Sequence, residues 1–264
     1  MNTEIDLIHI AKHAETLILH TGDWMKNQRV AAYQIEIKTP NNLVSFVDKE
    51  SELRLVQGLG AIFPAAGFIA EEGTGEKKEG WNWVIDPLDG TTNYLHDVPI
   101  WCISVALCLD SEPMIGIIYD PNRHEIFVAV KNNGCFLNHV KIEVSEREEL
   151  DESLLVTGFP YDDFGREDQY INLFRSLMKK TRGIRRLGSA ALDLAWVACG
   201  RFEAFYEYGL NPWDVAAGAI IITEAGGKVS GFHNGDPIFG EDIIASNGLV
   251  HDELQLETQK FFLK

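Results

Sequence analysis

The distribution of apolar positions changes character along the chain. Between residues 4 and 33, Ile5, Ile8, Leu17, Ile18 and Trp24 recur among polar residues at roughly helical spacing, predicting one or two amphipathic helices. Residues 49–59 predict another helix, entered through Asp48 and ending near Gly58 or Gly60. A short apolar run over 67–70 stops at Glu71-Glu72, a polar loop follows over 73–80, and residues 81–85 read as a strand halted by Asp86-Pro87. From Cys102 to about Val144 the pattern is strand after strand (103–109, 114–119, 125–130, 135–144), divided by turn-forming residues as in an antiparallel meander. The remainder mixes strands at 154–157, 202–206, 228–230 and 243–245 with helices at 168–180, 189–198, 214–224 and 252–262. Strands and helices come in blocks, which favours a layered α+β arrangement over a doubly wound nucleotide fold.

Composition narrows the class. With 264 residues the length alone leaves open one large domain or two joined halves. An acidic stretch over 146–153 marks the one internal seam, between an N-terminal α+β half of about 1–150 and a C-terminal α/β half of about 151–264. The formal net charge of -17 repels nucleic-acid backbones and anionic membranes, so a general nucleic-acid partner is not expected. Cys102, Cys108, Cys135 and Cys199 form no CxxC pair and read as reduced, mostly buried thiols of a cytoplasmic protein. The first residues lack a signal-peptide pattern, and the apolar runs are too short for a membrane span.

The chemistry concentrates in residues 83–94, Trp-Val-Ile-Asp-Pro-Leu-Asp-Gly-Thr-Thr-Asn-Tyr. An apolar strand delivers Asp86 at its end, and Pro87 stiffens the turn so that Asp86 and Asp89 can converge on one point. Gly90-Thr91-Thr92 adds small residues with free N–H groups and two hydroxyls, suited to an oxyanion if a helix starts there. Hard oxygen donors favour Mg²⁺ or Mn²⁺ over zinc. A plain surface turn is the alternative for such a sequence in isolation. Glu71-Glu72 ends a strand-like run, where burial would force a carboxylate to find a cation. Asp214 and Asp48 each read singly as helix N-caps.

Together these residues resemble the inositol monophosphatase family. The segment 83–94 is similar to its first signature, and 211–218 running to Glu224-Ala225-Gly226-Gly227 is similar to its second. Gly188-Ser189-Ala190-Ala191 resembles the family's substrate loop, and the likeness covers nearly the whole chain. The resemblance implies a single phosphatase domain over 1–264 with a layered αβαβα sandwich, usually a homodimer. It implies a lithium-sensitive, Mg²⁺-dependent phosphatase acting on a small phosphate monoester, inositol monophosphate first, with two or three ions per subunit.

By the same resemblance, Glu71, Asp86 and the Leu88 carbonyl would hold a first ion. Asp86, Asp89 and Asp214 would hold a second, with Glu71 near a weaker third. Thr91, hydrogen-bonded to Asp48, would orient the attacking water with Glu71 as base partner, and the Gly90 and Thr91 N–H groups would bind phosphate. Gly188, Ala190 and Glu207, with Asp214, would face the substrate. The departures are Ser45 where threonine is expected and Asp97 where glycine is usual, the latter adding a charge near the site mouth.

Three rivals share the chemistry: fructose-1,6-bisphosphatase, 3′-phosphoadenosine 5′-phosphate phosphatase and histidinol-phosphatase. A bisphosphate needs a second anion site, for which Arg182, Arg185 and Arg186 are the candidates. A regulatory binding protein is the reading from a different class. It would tolerate loss of the acidic residues and Thr91, all of which are present.

Overall fold

The computed structural model describes residues 5–30, 35–39, 42–160, 164–240 and 242–262, with side chains described except at 37–39 and 42. Residues 4 and 31–33 of the expected opening helical stretch lie outside them. Helix α1 (Leu7–Lys26) is followed by the hairpin β1 (Ile35–Thr39) and β2 (Asn42–Ser45), then α2 (Phe46–Ile62). Strands β3 (Gly67–Ala70) and β4 (Trp81–Asp89) lead into the short α3 (Thr91–Leu95). The meander is β5 (Cys102–Leu109), β6 (Glu112–Asp120), β7 (Glu125–Val130), β8 (Cys135–Leu137) and β9 (Val140–Ile142). Past a 3₁₀ turn at Leu150–Glu152 come β10 (Leu154–Thr157), α4 (Glu167–Leu177), β11 (Gly183–Arg185), α5 (Ala190–Ala198) and β12 (Ala204–Tyr208). The last elements are α6 (Pro212–Glu224), β13 (Lys228–Ser230), β14 (Asp242–Ser246) and α7 (His251–Gln259).

Alternation along the central strands explains the layering. In β5, Ile103, Val105 and Leu107 pack with α1 and α2 through Ile18, Met25, Leu55 and Leu59. Cys102, Ala106 and Cys108 point the other way, toward Leu194, Ala195, Ile220 and Ile221 of α5 and α6. Both faces are therefore covered, which is why β5 reads as an unbroken apolar run. The seven-stranded sheet has the order β3-β4-β5-β6-β7-β8-β9 and is antiparallel except for β3 with β4. A five-stranded sheet, β11-β10-β12-β14-β13, covers the opposite side of α5 and α6 through Val156, Phe205 and Ala245. Its outer face packs on α4 and α7 through Tyr170, Leu173, Tyr206, Tyr208 and Leu254. The stack is helices, sheet, helices, sheet, helices: the expected αβαβα sandwich.

Several boundaries differ from the sequence expectation. Helix α2 begins three residues earlier than predicted, because Ser45 and not Asp48 is its N-cap. It also runs through Gly58 and Gly60; a Cβ at Gly58 would stand 2.4 Å from Leu17, so glycine there admits close packing of α1. Asp214 is likewise no N-cap: Asn211 caps α6, and Asp214 occupies the third helical position. The expected strand over 135–144 is broken by Asn138 and His139, whose φ values of 49° and 65° form the turn between β8 and β9. The hairpin β1–β2 and the edge strand β11 carry little hydrophobic signal and were not anticipated.

Candidate active site

Strand β4 carries the first acids past the edge of its ladder. Its pairing with β5 shifts register between Asp86 and Asp89, so the two residues, three apart, turn to the same end. The Leu88 N–H donates to Asp86 Oδ1 at 2.9 Å, tightening that turn around Pro87. Gly90 then adopts φ 93° as the N-cap of α3, a left-handed conformation that glycine takes without strain. A Cβ there would also stand 3.0 Å from the Ile100 carbonyl and 3.2 Å from that of Gly188. Asn93 ties α3 to the same neighbours, donating to Ile100 O at 2.7 Å and Leu187 O at 2.9 Å.

Other elements supply the remaining side chains. Glu71 follows β3, which pairs in parallel with β4, and its N–H donates to Ile85 O at 3.2 Å. The loop beyond it is held by Glu52 of α2, a buried carboxylate accepting from Glu72 N at 2.7 Å and Thr74 N at 2.8 Å. Asp214 accepts from Asn211 N at 2.7 Å at the start of α6. Asp89 accepts from Ser189 Oγ and from the Ala191 N–H, each at 2.7 Å, so the first turn of α5 is fixed to the acid. Thr91 Oγ1 lies 2.9 Å from Asp48 Oδ1 and 3.0 Å from Leu88 O; its single proton serves one acceptor at a time. Asp48 Oδ2 accepts from the N–H and hydroxyl of Ser45 at 2.8 and 2.7 Å, so the serine replaces the expected threonine without loss of the bond.

One cavity of about 310 Å³ gathers this set. Glu71, Asp86, Leu88, Asp89, Gly90, Thr91, Gly188, Ala190, Glu207 and Asp214 all line it. Asp48 stands behind Thr91 and does not line it. Asp97 lines a separate cavity with Lys26, Arg29, Tyr94 and Trp101, so the charge expected at the site mouth lies elsewhere. Of the three arginines considered for a second anion site, only Arg186 reaches the cavity.

The electrostatics are those of crowded acids. Burial, then the charges of Glu71, Asp89 and Asp214, push Asp86 well above the ordinary carboxylate range. Burial also raises Asp214 strongly, opposed by its bond from Asn211 and reinforced by Asp89 and Glu71. Asp89 is raised by burial and held back by Ser189, Ala191 and Ala190. Glu207 is pushed up to about 8, chiefly by burial and then by Asp214. Arg186 is the sole Lys or Arg among the described residues lining the cavity. Six hard-oxygen acids (Glu71, Asp86, Asp89, Asp193, Glu207 and Asp214) facing one space with so little opposing charge fit a cationic ligand. Among the described residues, no three His, Cys, Asp or Glu side chains already stand as a complete ligand set, and Asp86 instead shares a hydrogen bond with Glu71.

Sequence reasoning missed several contributors. Cys102 lies 3.8 Å from Asp89 Oδ2, and burial drives its thiol well above the usual range, so it stays protonated and is a poor nucleophile. Ser189 was noted only as part of the substrate-loop resemblance, and Glu52 went unnoticed, as did Asp193, although Asp193 is the lone charge in the apolar sequence of α5.

An αβαβα sandwich that turns its crowded acids toward a helix start belongs to the layered class of phosphatases. Comparison with known proteins specifies the group: the profile of the Inositol monophosphatase family matches residues 6–262, and the chain belongs to that family. It is 42% identical over 212 residues to the Nus factor SuhB of Pseudomonas aeruginosa, covering 78% of each chain. It is 41% identical over 235 residues to the inositol-1-monophosphatase of Synechocystis sp., covering 88% of this chain and 80% of the relative. The solved inositol monophosphatase of Anabaena superposes with a TM-score of 0.85 at 37% identity, covering 97% of both chains.

Proposed function

We propose that the chain is a Mg²⁺-dependent phosphomonoesterase that hydrolyses inositol monophosphate to inositol and phosphate by direct attack of water. The observation that carries this is the convergence of Glu71, Asp86, Asp89 and Asp214 on a cavity that Thr91 and the start of α3 also line. Glu71, Asp86, the Leu88 carbonyl, Asp89 and Asp214 would hold two or three ions. Bound there, Mg²⁺ would neutralise the monoester dianion, lower the pKa of water and stabilise the leaving alkoxide.

The chain's own groups do the positioning. The Gly90 and Thr91 N–H groups open α3 and bind phosphate oxygens. Thr91, its proton directed to Asp48, accepts from the attacking water and aims it, and Glu71 takes the proton released. Gly188, Ala190, Glu207 and Asp214 face the alcohol. Gly158 has no side chain because Glu207 occupies that space: a Cβ there would stand 2.2 Å from Glu207 Oε2. Phosphate release from inositol 1-phosphate, fructose 1,6-bisphosphate and 3′-phosphoadenosine 5′-phosphate, each with Mg²⁺, tests the substrate. Preference for a bisphosphate would overturn the inositol assignment while leaving the site intact.

The enzyme would work as a homodimer, which the sedimentation of the purified chain tests. A second reading has one observation behind it, the 42% identity to a relative named Nus factor SuhB. An added role in binding other macromolecules would act through a protein surface, because a charge of -17 opposes a nucleic-acid backbone.

A further inference from the structure

The cavity has two unlike ends. One is the acid cluster beside α3. The other is formed by Arg186, Glu207, Gly158 and a residue outside the family-derived set, Asp193 of α5. Asp193 is 1% exposed, and its Oδ1 is fully buried with no hydrogen-bond partner among the described residues. Its helix is otherwise apolar: Leu192, Leu194, Ala195 and Val197 are all buried core residues. A carboxylate in such surroundings without a donor for its oxygen is destabilising, and packing alone would favour leucine. Burial first, then Glu207 and Asp89, push its carboxyl well above the ordinary carboxylate range, and Arg186 opposes them. Neither Glu207 nor Arg186 donates to the orphaned oxygen.

We infer that Asp193 is a specificity-determining residue, its unpartnered oxygen accepting a hydroxyl proton from the alcohol part of the substrate beside Glu207. This rests on the polyol-phosphate reading above and deepens it. Two neighbouring acceptors match an alcohol that presents two adjacent hydroxyl donors, as a cyclic polyol does. Arg186 acts on both acids, so it does not form an anion site by itself. A site whose buried acceptors need hydroxyl donors discriminates strongly against esters that lack them, because the acceptors would stay unpaired.

The test compares myo-inositol 1-phosphate, p-nitrophenyl phosphate and fructose 1,6-bisphosphate on the full chain with Mg²⁺, for wild type, Asp193→Leu and Asp193→Asn. Leucine removes the acceptor at similar volume; asparagine keeps an acceptor oxygen and removes the charge. For Asp193→Leu the ratio of kcat/KM for the inositol ester to that for the aryl ester is expected to fall about tenfold or more, mainly through KM. For Asp193→Asn that ratio should fall less, while the ratio of bisphosphate to aryl ester rises. Should the leucine variant fail to fold, the asparagine variant carries the test through its bisphosphate ratio. Equal factors on all three esters, or no change in either ratio, would overturn the inference, since a purely structural role moves all esters together. Wild-type chain inactive even on the aryl ester would instead overturn the phosphatase reading on which it rests.

Discussion

At the scale of the residue, the site depends on hydroxyls and acids that share protons in pairs. Replacing Thr91 with valine removes the proton given to Asp48 and the oxygen that faces the water. We expect kcat to fall about 10²- to 10⁴-fold, with a thermal midpoint within a few degrees of wild type because Ser45 still serves Asp48. Single-turnover kinetics alongside calorimetry separates the two effects. Gly158→Ala acts differently: its new methyl group would displace the Glu207 carboxylate. The KM for a polyol ester should rise several-fold with a smaller change in kcat, as steady-state kinetics would show; an unaltered KM would place Glu207 outside substrate contact.

Much of this was legible in the sequence, and the physical reason is local. Asp86, Asp89, Gly90 and Thr91 fall within one turn, so their convergence follows from short-range geometry and a proline. Asp48 and Asp214 were visible as helix-start acids but were read as N-caps, three positions from their place in the helix. In each case the neighbouring Ser45 or Asn211 caps the helix, and the acid at the third position closes the box. Glu52, Ser189 and Asp193 act across 20, 100 and no fixed number of residues respectively, the first on Glu72 and the second on Asp89. No pattern along the chain announces such contacts. A charge within a buried helical face was the available clue for Asp193 and for Glu52.

At the scale of the element, α7 is joined to the five-stranded sheet by a buried histidine. His251 is fully buried, with Ser230 Oγ at 2.9 Å from Nε2 and Ser246 Oγ at 2.9 Å from Nδ1. Ser230 also donates to Gly231 O and accepts from Gln255, so the network closes when Nε2 carries the proton and Nδ1 accepts from Ser246. Burial first, then Lys228, lowers its pKa to about 4 from an ordinary 6.5. The unfolded chain therefore binds the extra proton between pH 6.5 and 4, and stability is lost as pH falls through that window. The loss amounts to at most about 3 kcal/mol. Urea unfolding of wild type and His251→Gln from pH 7 to 4.5 checks it: the glutamine variant should lack this part of the acid sensitivity. A parallel slope in both chains would remove the histidine from the account. The edge elements β1, β2 and β11 were not legible because each is short and pairs on one side or with a single neighbour, so side-chain pattern weighs little against hydrogen bonding.

At the scale of the whole molecule, the acids and the histidine act with opposite sign. Asp86, Asp89 and Asp214 have folded pKa values raised above the unfolded carboxylate value. Their contribution is present at or below the unfolded pKa and is lost as pH rises through the raised values. Chelated protein should therefore lose stability relative to an Asp86→Asn variant as pH rises above the ordinary carboxylate range, and added Mg²⁺ should raise the thermal midpoint most at the higher pH. Scanning calorimetry at fixed ionic strength measures both. The layered architecture makes this coupling global: β4 and α6 carry these acids, and α6 packs at the centre of the sandwich between two sheets that share one hydrophobic core. The blocks in the sequence predicted a layered α+β arrangement, while the five-layer αβαβα order followed only from the family resemblance.

The most direct test of the account is phosphate release from inositol 1-phosphate by wild type and by Asp89→Asn, each with Mg²⁺ and with excess chelator. The account predicts turnover for wild type with Mg²⁺, abolished by chelator and reduced at least about 10³-fold in the variant, whose circular dichroism stays native. Turnover that survives chelation, or an Asp89→Asn chain as active as wild type, would contradict it.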